Sequence, residues 1–348
     1  MAIKPIQLKN IKRLLIRSTN WIGDAVMTTP AVRAIRKNFP DAEISILAKP
    51  WVAPVFENSP YVDHVLIYDD ADRHMGVAGK LRLASELRGY RFDAAILLQN
   101  AIEAALIAFF SGIPCRIGYN TDARGFLLTH SVPCTPQIKK MHQTGYYLGI
   151  LQGTGLKADG LGLDLVVDKK YQKRAAEILE EHGISKTDRL AGINPSATFG
   201  PAKQWFPERY AALSDKIHEV FGARILLFGG PGDRDLGIRI SQNMRNPNID
   251  LCGKTSLEEA IALINMCNLF ITNDSGLMHV AAALDIPLIA IFGSTNPFTT
   301  GPKGSNSKIV RVPIECSPCL KPKCPKGHLK CMNRIDVDMV FDVVKEIL

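Results

Sequence analysis

The feature that most constrains the fold is a series of short apolar runs rich in β-branched residues, each separated from the next by enough chain for a helix. In the first half these runs are RLLIRS (Arg13–Ser18), EISILA (Glu43–Ala48), HVLIYD (His64–Asp69), FDAAILL (Phe92–Leu98) and IPCRIGY (Ile113–Tyr119). The series starts again near Leu190 with RLAGINPS and continues through RILLFGG (Arg224–Gly230), LFITND (Leu269–Asp274) and PLIAIFG (Pro287–Gly293). Helical patterns lie between them, at about Pro207–Val220 and Ser256–Met266, and a last one covers Val337–Leu348. Strands that read as continuous apolar runs and alternate with helices form parallel sheets covered on both faces, with right-handed crossovers. The expected fold is therefore α/β, with two doubly wound, Rossmann-like domains facing each other across a cleft. Their expected extents are 1–175 and 176–348, with the boundary in the polar helical stretch around Asp168–Asp188. A length of 348 residues exceeds what one core usually organises and agrees with two domains.

Composition narrows the class. Hydrophobic residues make up 46% and charged residues 22%, which fits a globular chain. The formal net charge of +8 would suit phosphate-bearing substrates, an anionic membrane surface or a nucleic acid. The basic residues are dispersed and no RNA- or DNA-binding motif accompanies them, so nucleic acid is not an expected partner. The first residues, MAIKPIQLKNIKRLLIRS, read as a basic tail entering a strand rather than a secretory signal. The longest apolar stretch, AALIAFF (Ala104–Phe110), is far too short to span a bilayer. A cytoplasmic protein is expected, with peripheral membrane contact left open.

In doubly wound sheets, ligands lie beyond the carboxyl ends of the strands. Past the first strand stands Ser18-Thr19-Asn20-Trp21-Ile22-Gly23-Asp24, a polar turn running into a helix. Gly23 permits close approach to the backbone, and the helix amides can hold an anion. Taken alone, this segment leaves Asp24 open between a helix cap and a general base. Pro30 is expected to kink the helix or split it in two. Past the next domain's first strand, the stretch from Asn194 to Pro207 contains Lys203, flanked by glycine, prolines and Trp205. Lys203 reads as a phosphate contact on a stiffened loop, the other reading being Trp205 as a packing anchor beside an idle lysine. The turn Phe228-Gly229-Gly230-Pro231-Gly232-Asp233 resembles a nucleotide fingerprint only loosely. The segment from Thr272 to His279 is richer. Asp274 and Ser275 end a strand, Gly276 and Leu277 open a helix, and His279 follows in its first turn. Amides of Ser275, Gly276 and Leu277 would converge on a diphosphate.

The chain resembles the bacterial lipopolysaccharide heptosyltransferases, and within them the type II group, over nearly its whole length. The resemblance rests on STNWIGDAVMTTPAVRAIR, NPSATFGPAKQWFPERYAAL and NDSGLMHVAAALDIPLIAIFGST in that order, with GPAKQW favouring type II over type I. It implies a GT-B fold and metal-independent, inverting transfer of L-glycero-D-manno-heptose from ADP-heptose. The implied acceptor is the first heptose of the inner core, itself linked to Kdo on lipid A. By motif, Asp24 matches the general base, Lys203 the donor-phosphate lysine, and Asp274 with His279 the donor-site pair. Asp233 stands where related enzymes often carry glutamate, and it is placed on the donor side. Asn20, Trp21 and Gly23 fall on the acceptor side, where Arg33, Arg36 and Lys37 are candidates for a basic rim. Type I or another core heptosyltransferase is the nearest alternative. A different sugar-nucleotide transferase or epimerase-like enzyme, and a nucleotide-binding module without transfer activity, are further ones; the presence of Asp24 and Lys203 argues against the last.

The loop 314–333 contains Cys316-x2-Cys319-x4-Cys324-x6-Cys331, with His328 in the last gap. It is dense in proline, glycine and lysine and poor in apolar residues that could pack it. A structural zinc ion, an unliganded or disulfide-bonded loop, and another metal are the three readings. The remaining cysteines, Cys115, Cys134, Cys252 and Cys267, are scattered and read as structural thiols.

Overall fold

The computed structural model describes residues 11–348, so most of the expected N-terminal tail lies outside the described residues. The chain separates into two units, the first ending at Leu165 and the second spanning Val166–Leu348.

The first unit contains β1 (Arg13–Arg17), β2 (Glu43–Ala48), β3 (His64–Ile67), β4 (Ala94–Leu97), β5 (Cys115–Tyr119) and β6 (His130–Val132). They form one sheet in the order β3-β2-β1-β4-β5-β6, and every neighbouring pair is parallel. The second unit contains β7 (Leu190–Asn194), β8 (Arg224–Leu227), β9 (Asn248–Asp250), β10 (Leu269–Asn273), β11 (Leu288–Ile291) and β12 (Ser307–Val310). Its sheet, ordered β12-β11-β10-β7-β8-β9, is also wholly parallel. Counted from its own first strand, each sheet runs 3-2-1-4-5-6, the dinucleotide-fold order. The chain reverses direction across the sheet between β1 and β4 in one unit and between β7 and β10 in the other. Central strands such as β7 and β10 are buried at every position, which is why they appear in the sequence as unbroken apolar runs.

Three details differ from expectation. The helix Ile22–Asn38 runs unbroken through Pro30. Proline has no N–H to offer the carbonyl of Val26, and the Thr29 hydroxyl donates to that oxygen instead, at 2.8 Å. The units divide at Leu165/Val166, ten residues before the 175/176 boundary. The helix Lys169–Glu181 buries Ala175, Ile178 and Leu179, and it packs beside Leu257–Ile264 through Tyr171–Glu258 and Arg174–Glu259 contacts of 3.5 and 3.6 Å. It therefore belongs entirely to the second unit. The outer strands β6, β9 and β12 are short and partly exposed, so they lack the apolar run that marks the others.

In the second unit the core under the sheet takes in Met332, Ile335, Val340 and Val344 from the end of the chain, packed with Ile289 and Ile291. No helix among the described residues is long and apolar enough to cross a membrane.

Candidate active site

In the first unit, β1 ends in Arg17 and the chain passes through buried Ser18 and Thr19 before the helix begins. Asp24 is the third residue of that helix, and Trp21 occupies the cap position, so Asp24 is not the cap. Its carboxylate is half-buried and accepts a hydrogen bond from the Tyr147 hydroxyl at 3.0 Å. Tyr147 sits on the helix Gln143–Gln152, and its pKa is pushed well above the usual phenol value, chiefly by burial and then by the charge of Asp24. It therefore remains a donor, and it fixes the orientation of the carboxylate.

A buried cation lies beside this turn. Arg17 is 2% exposed, donates to Asn20 Oδ1 at 2.8 Å, and stands 5.2 Å from the Tyr68 ring centroid. Burial pulls its pKa down to about 10, although the fields of Tyr68, Glu103 and Asp70 oppose this. Lys49 lies 3.7 Å from the same ring centroid and pairs with Asp70. Burial again lowers its pKa, while the hydrogen bond to Asp70 works the other way. The Trp51 indole donates to Asn20 O at 2.9 Å, and Trp21 and Trp51 are both exposed, so Asn20 is held between a cation and an aromatic ring. Ser18 Oγ, Thr19 Oγ1 and Arg17 Nε are buried without hydrogen-bond partners at this strand end. The sequence reading missed Arg17 and Lys49; the signal was a charged residue closing each of two apolar strands.

Arg33, Arg36 and Lys37 do not join Asp24. Arg33 pairs with Asp159 and Asp164, Lys37 with Asp159, and Arg36 with Asp63 while also donating to the carbonyl of Ala42. They lie on the last turns of a helix antiparallel to the strands, at the sheet's amino edge beside the start of β2. Their charges tie the first unit together, which corrects the expected basic rim.

In the second unit, the loop after β7 and the turn after β10 meet at the switch point. Asn194 donates to Thr272 Oγ1 at 3.1 Å and to Ser275 Oγ at 2.8 Å, and Ser275 caps the helix Gly276–Ala283. Asn273 accepts from Trp205 N and the Tyr210 hydroxyl, both at 3.0 Å, and donates to Pro195 O at 2.6 Å. Trp205 is buried, and its indole donates to Ile335 O at 2.9 Å. It is indeed an anchor for the loop, but Lys203 is not idle. Its ammonium lies 2.7 Å from Asp274 Oδ2 and 4.9 Å from the Phe199 ring centroid. Both partners are largely buried, with side chains 14% and 5% exposed. An ammonium has three hydrogens, so a lysine oriented by one carboxylate can still donate to an anion.

His279 is the fourth residue of the capped helix and is buried, whereas Gly276 and Leu277 at its opening are half-buried. Asp233 reaches the same loop, but its two oxygens accept from Ser196 Oγ at 2.7 Å and Gly230 N at 2.8 Å. That carboxylate braces the 196 and 230 turns. Past β11, the Ser294 and Thr295 hydroxyls are buried without hydrogen-bond partners. The strand-end rule, applied to FGST, would have found them.

Two units of 3-2-1-4-5-6 order, with an anion-suited loop at the switch point of the second, are the architecture of the GT-B glycosyltransferases. Residues 80–330 match glycosyltransferase family 9 (heptosyltransferase), and the chain belongs to that family. It is 31% identical over 343 residues to lipopolysaccharide heptosyltransferase 2 of Salmonella typhimurium, covering 97% of this chain and 98% of the relative. Among solved structures it is similar to Escherichia coli ADP-heptose LPS heptosyltransferase II (26% identity, TM-score 0.81, covering 96% and 98% of the two chains). A Veillonella parvula family 9 glycosyltransferase is also similar (26% identity, TM-score 0.87, covering 97% of each).

Proposed function

We propose that this chain transfers L-glycero-D-manno-heptose from ADP-heptose onto the first heptose of the lipopolysaccharide inner core, with inversion at the anomeric carbon. The observation that carries this reading is end-to-end similarity to heptosyltransferases of type 2, at 31% identity to the Salmonella typhimurium enzyme and 28% to that of Escherichia coli. The Lys203–Asp274 pair supports the donor side, because it presents an oriented ammonium at the switch point of the second sheet.

A sugar hydroxyl is a poor nucleophile near neutral pH. Asp24, oriented by Tyr147, takes its proton as the oxygen bonds to C1 of the donor heptose. The C1–O bond to ADP breaks on the opposite face, and charge grows on the outer phosphate. Lys203 and the amino end of the helix Gly276–Ala283 meet that charge in this reading, without a metal cofactor. Asp274 orients Lys203, while His279 and the Ser294 and Thr295 hydroxyls are the further polar groups for the diphosphate or heptose. Asn20, Trp21, Trp51 and the buried cation Arg17 form the acceptor side. The acceptor is Kdo–lipid A core already carrying one heptose. In this reading the enzyme works in the cytoplasm in peripheral contact with the membrane that holds the acceptor's lipid, and the +8 net charge favours an anionic surface.

The test is incubation with ADP-heptose and core acceptors that end in Kdo, in one heptose or in two, read by product mass. One added heptose on the one-heptose acceptor alone is expected. Transfer to the Kdo-terminated acceptor would reassign the chain to the first transfer, and no transfer to any acceptor would sink the reading.

A further inference from the structure

The segment that carries Cys316, Cys319, Cys324 and Cys331 has two limbs, and little ordinary packing holds them. Leu320 is 59% exposed, and no apolar side chain of 316–330 is fully buried. The first limb is tied outward: Ser317 Oγ donates to Gly293 O at 2.6 Å, and Leu320 N donates to Ser294 O at 2.8 Å. The connecting stretch is tied elsewhere, through Pro322 O, which accepts from Ala202 N at 3.0 Å. In the second limb Lys330 N donates to His328 Nδ1 at 3.0 Å, and Asn333 donates to His328 O at 2.8 Å. Among these contacts none joins residues 316–320 to residues 324–331.

Cysteine sulfurs stand where the missing tie would be. All four thiols are free. Together they line a single cavity of ≈20 Å³, with Ala202 and Ser294 on its wall. Such a volume holds about one water-sized body, since one water needs roughly 10–15 Å³ on this measure. The backbone amides of Leu329, Lys326, His328 and Gly327 face the Cys324 sulfur. Lys321, Lys323, Lys326 and Lys330 supply positive charge around what would be four negative sulfurs. Among the described residues, no three His, Cys, Asp or Glu side chains already form a ready metal site. Binding an ion would thus require the two limbs to draw inward around the cavity, to metal–sulfur distances of about 2.3 Å.

We propose that Cys316, Cys319, Cys324 and Cys331 bind one thiophilic metal ion, zinc or iron, as a tetrathiolate site that cross-links the two limbs. The site is structural. It fastens a segment that grips two donor-side loops, one after β7 through Pro322 and Ala202, the other after β11 through Leu320 and Ser294. Four sulfur ligands from a x2, x4, x6 spacing saturate a tetrahedral ion and leave no open position for substrate, as in structural rather than catalytic sites. The proposal does not depend on the identity of the donor or acceptor sugar.

The experiment is elemental analysis of the full-length chain, purified anaerobically without chelator, together with cobalt(II) titration of chain stripped of metal. About one zinc or iron per chain is expected. The elemental analysis itself tells iron from zinc. Cobalt should give a thiolate-to-metal charge-transfer band saturating near one equivalent. The Cys316→Ser/Cys319→Ser variant should lose the bound metal, and a Cys115→Ser/Cys134→Ser control should keep it. The cobalt arm uses the unmutated chain, so it answers even if the variant folds poorly. Metal-free protein with all four thiols titrating free and no cobalt band would overturn the proposal. So would anaerobically purified protein with these cysteines in disulfides, or metal retained in the Cys316→Ser/Cys319→Ser variant.

Discussion

Tyr147 donates its hydroxyl hydrogen to Asp24 Oδ1 at 3.0 Å, joining the helix that carries the proposed base to one 123 residues further along the chain. That hydrogen bond fixes the orientation of the carboxylate. Asp24→Asn should keep the fold and ADP affinity while lowering turnover by about 100-fold or more, the usual scale of a positioned proton transfer. Tyr147→Phe should cost about tenfold in kcat with little change in KM for ADP-heptose, because one orienting bond to a charged group is lost. Near-normal turnover in purified Asp24→Asn protein would remove Asp24 from the mechanism.

Lys203 and Asp274 carry two effects that a pair of variants separates. Lys203→Ala should weaken ADP binding, measured by calorimetry, with a smaller salt dependence than the unmutated chain. It also leaves the carboxylate of Asp274, only 5% exposed, without its cation, a change that costs about 3 kcal/mol in buried pairs. Adding Asp274→Asn should restore much of the stability and none of the ADP affinity. If ADP affinity stays unchanged while acceptor binding falls, this loop serves the other substrate.

Gly200 precedes the lysine turn at φ +145°, where a side chain would be strained, and a Cβ there would stand 2.5 Å from Pro322 O. Gly200→Ala should lower Tm through about 1–3 kcal/mol of backbone strain plus the displaced contact, and it should weaken ADP binding as Lys203 moves. An unchanged melting temperature would show that the loop and the cysteine segment are not pressed together.

Asp215 is buried on the helix Pro207–Phe221 and accepts from Arg245 N at 3.0 Å and Asn246 N at 2.9 Å. Burial alone would raise its pKa, but the backbone hydrogen bonds from Arg245 and Asn246 outweigh that and hold it below the usual value. A depressed carboxylate stabilises the fold fully above its unfolded pKa, near 3.8, and that stability is lost as pH falls through the folded value. Urea unfolding of Asp215→Asn should therefore show a deficit at pH 7 that narrows steadily below about pH 4. A deficit independent of pH would assign the effect to packing.

Much of the fold was legible from local pattern. EISILA is β2 residue for residue, and the runs at Arg13, His64, Arg224 and Leu269 begin their strands at the positions read from the sequence. Strands buried on both faces must be continuously apolar, and that requirement is written in the sequence. The rule that ligands lie just past such strands singled out Asp24, Lys203 and Asp274, on which the proposed mechanism rests. Apart from β2 and β5, which end with their runs, the strands end one to three residues earlier than the apolar runs, because the final residues turn out of the sheet toward the ligand edge.

Other features depended on partners distant in sequence. Whether Arg33, Arg36 and Lys37 face a substrate or an acid is decided by Asp159, Asp164 and Asp63, which only folding brings to them. Asp233 stands in a turn with the composition of a ligand contact, and only folding brings Ser196, 37 residues away, to its carboxylate. Arg17 and Lys49 stood unnoticed at the ends of apolar strands until β1 and β2 paired and set both against the Tyr68 ring. The sequence by itself determined the α/β class, the two domains and the family, because each follows from local period or motif. Only the tertiary structure decided which charges are free for a ligand and which are spent on the fold, because that depends on the partner each charge meets once the chain is folded.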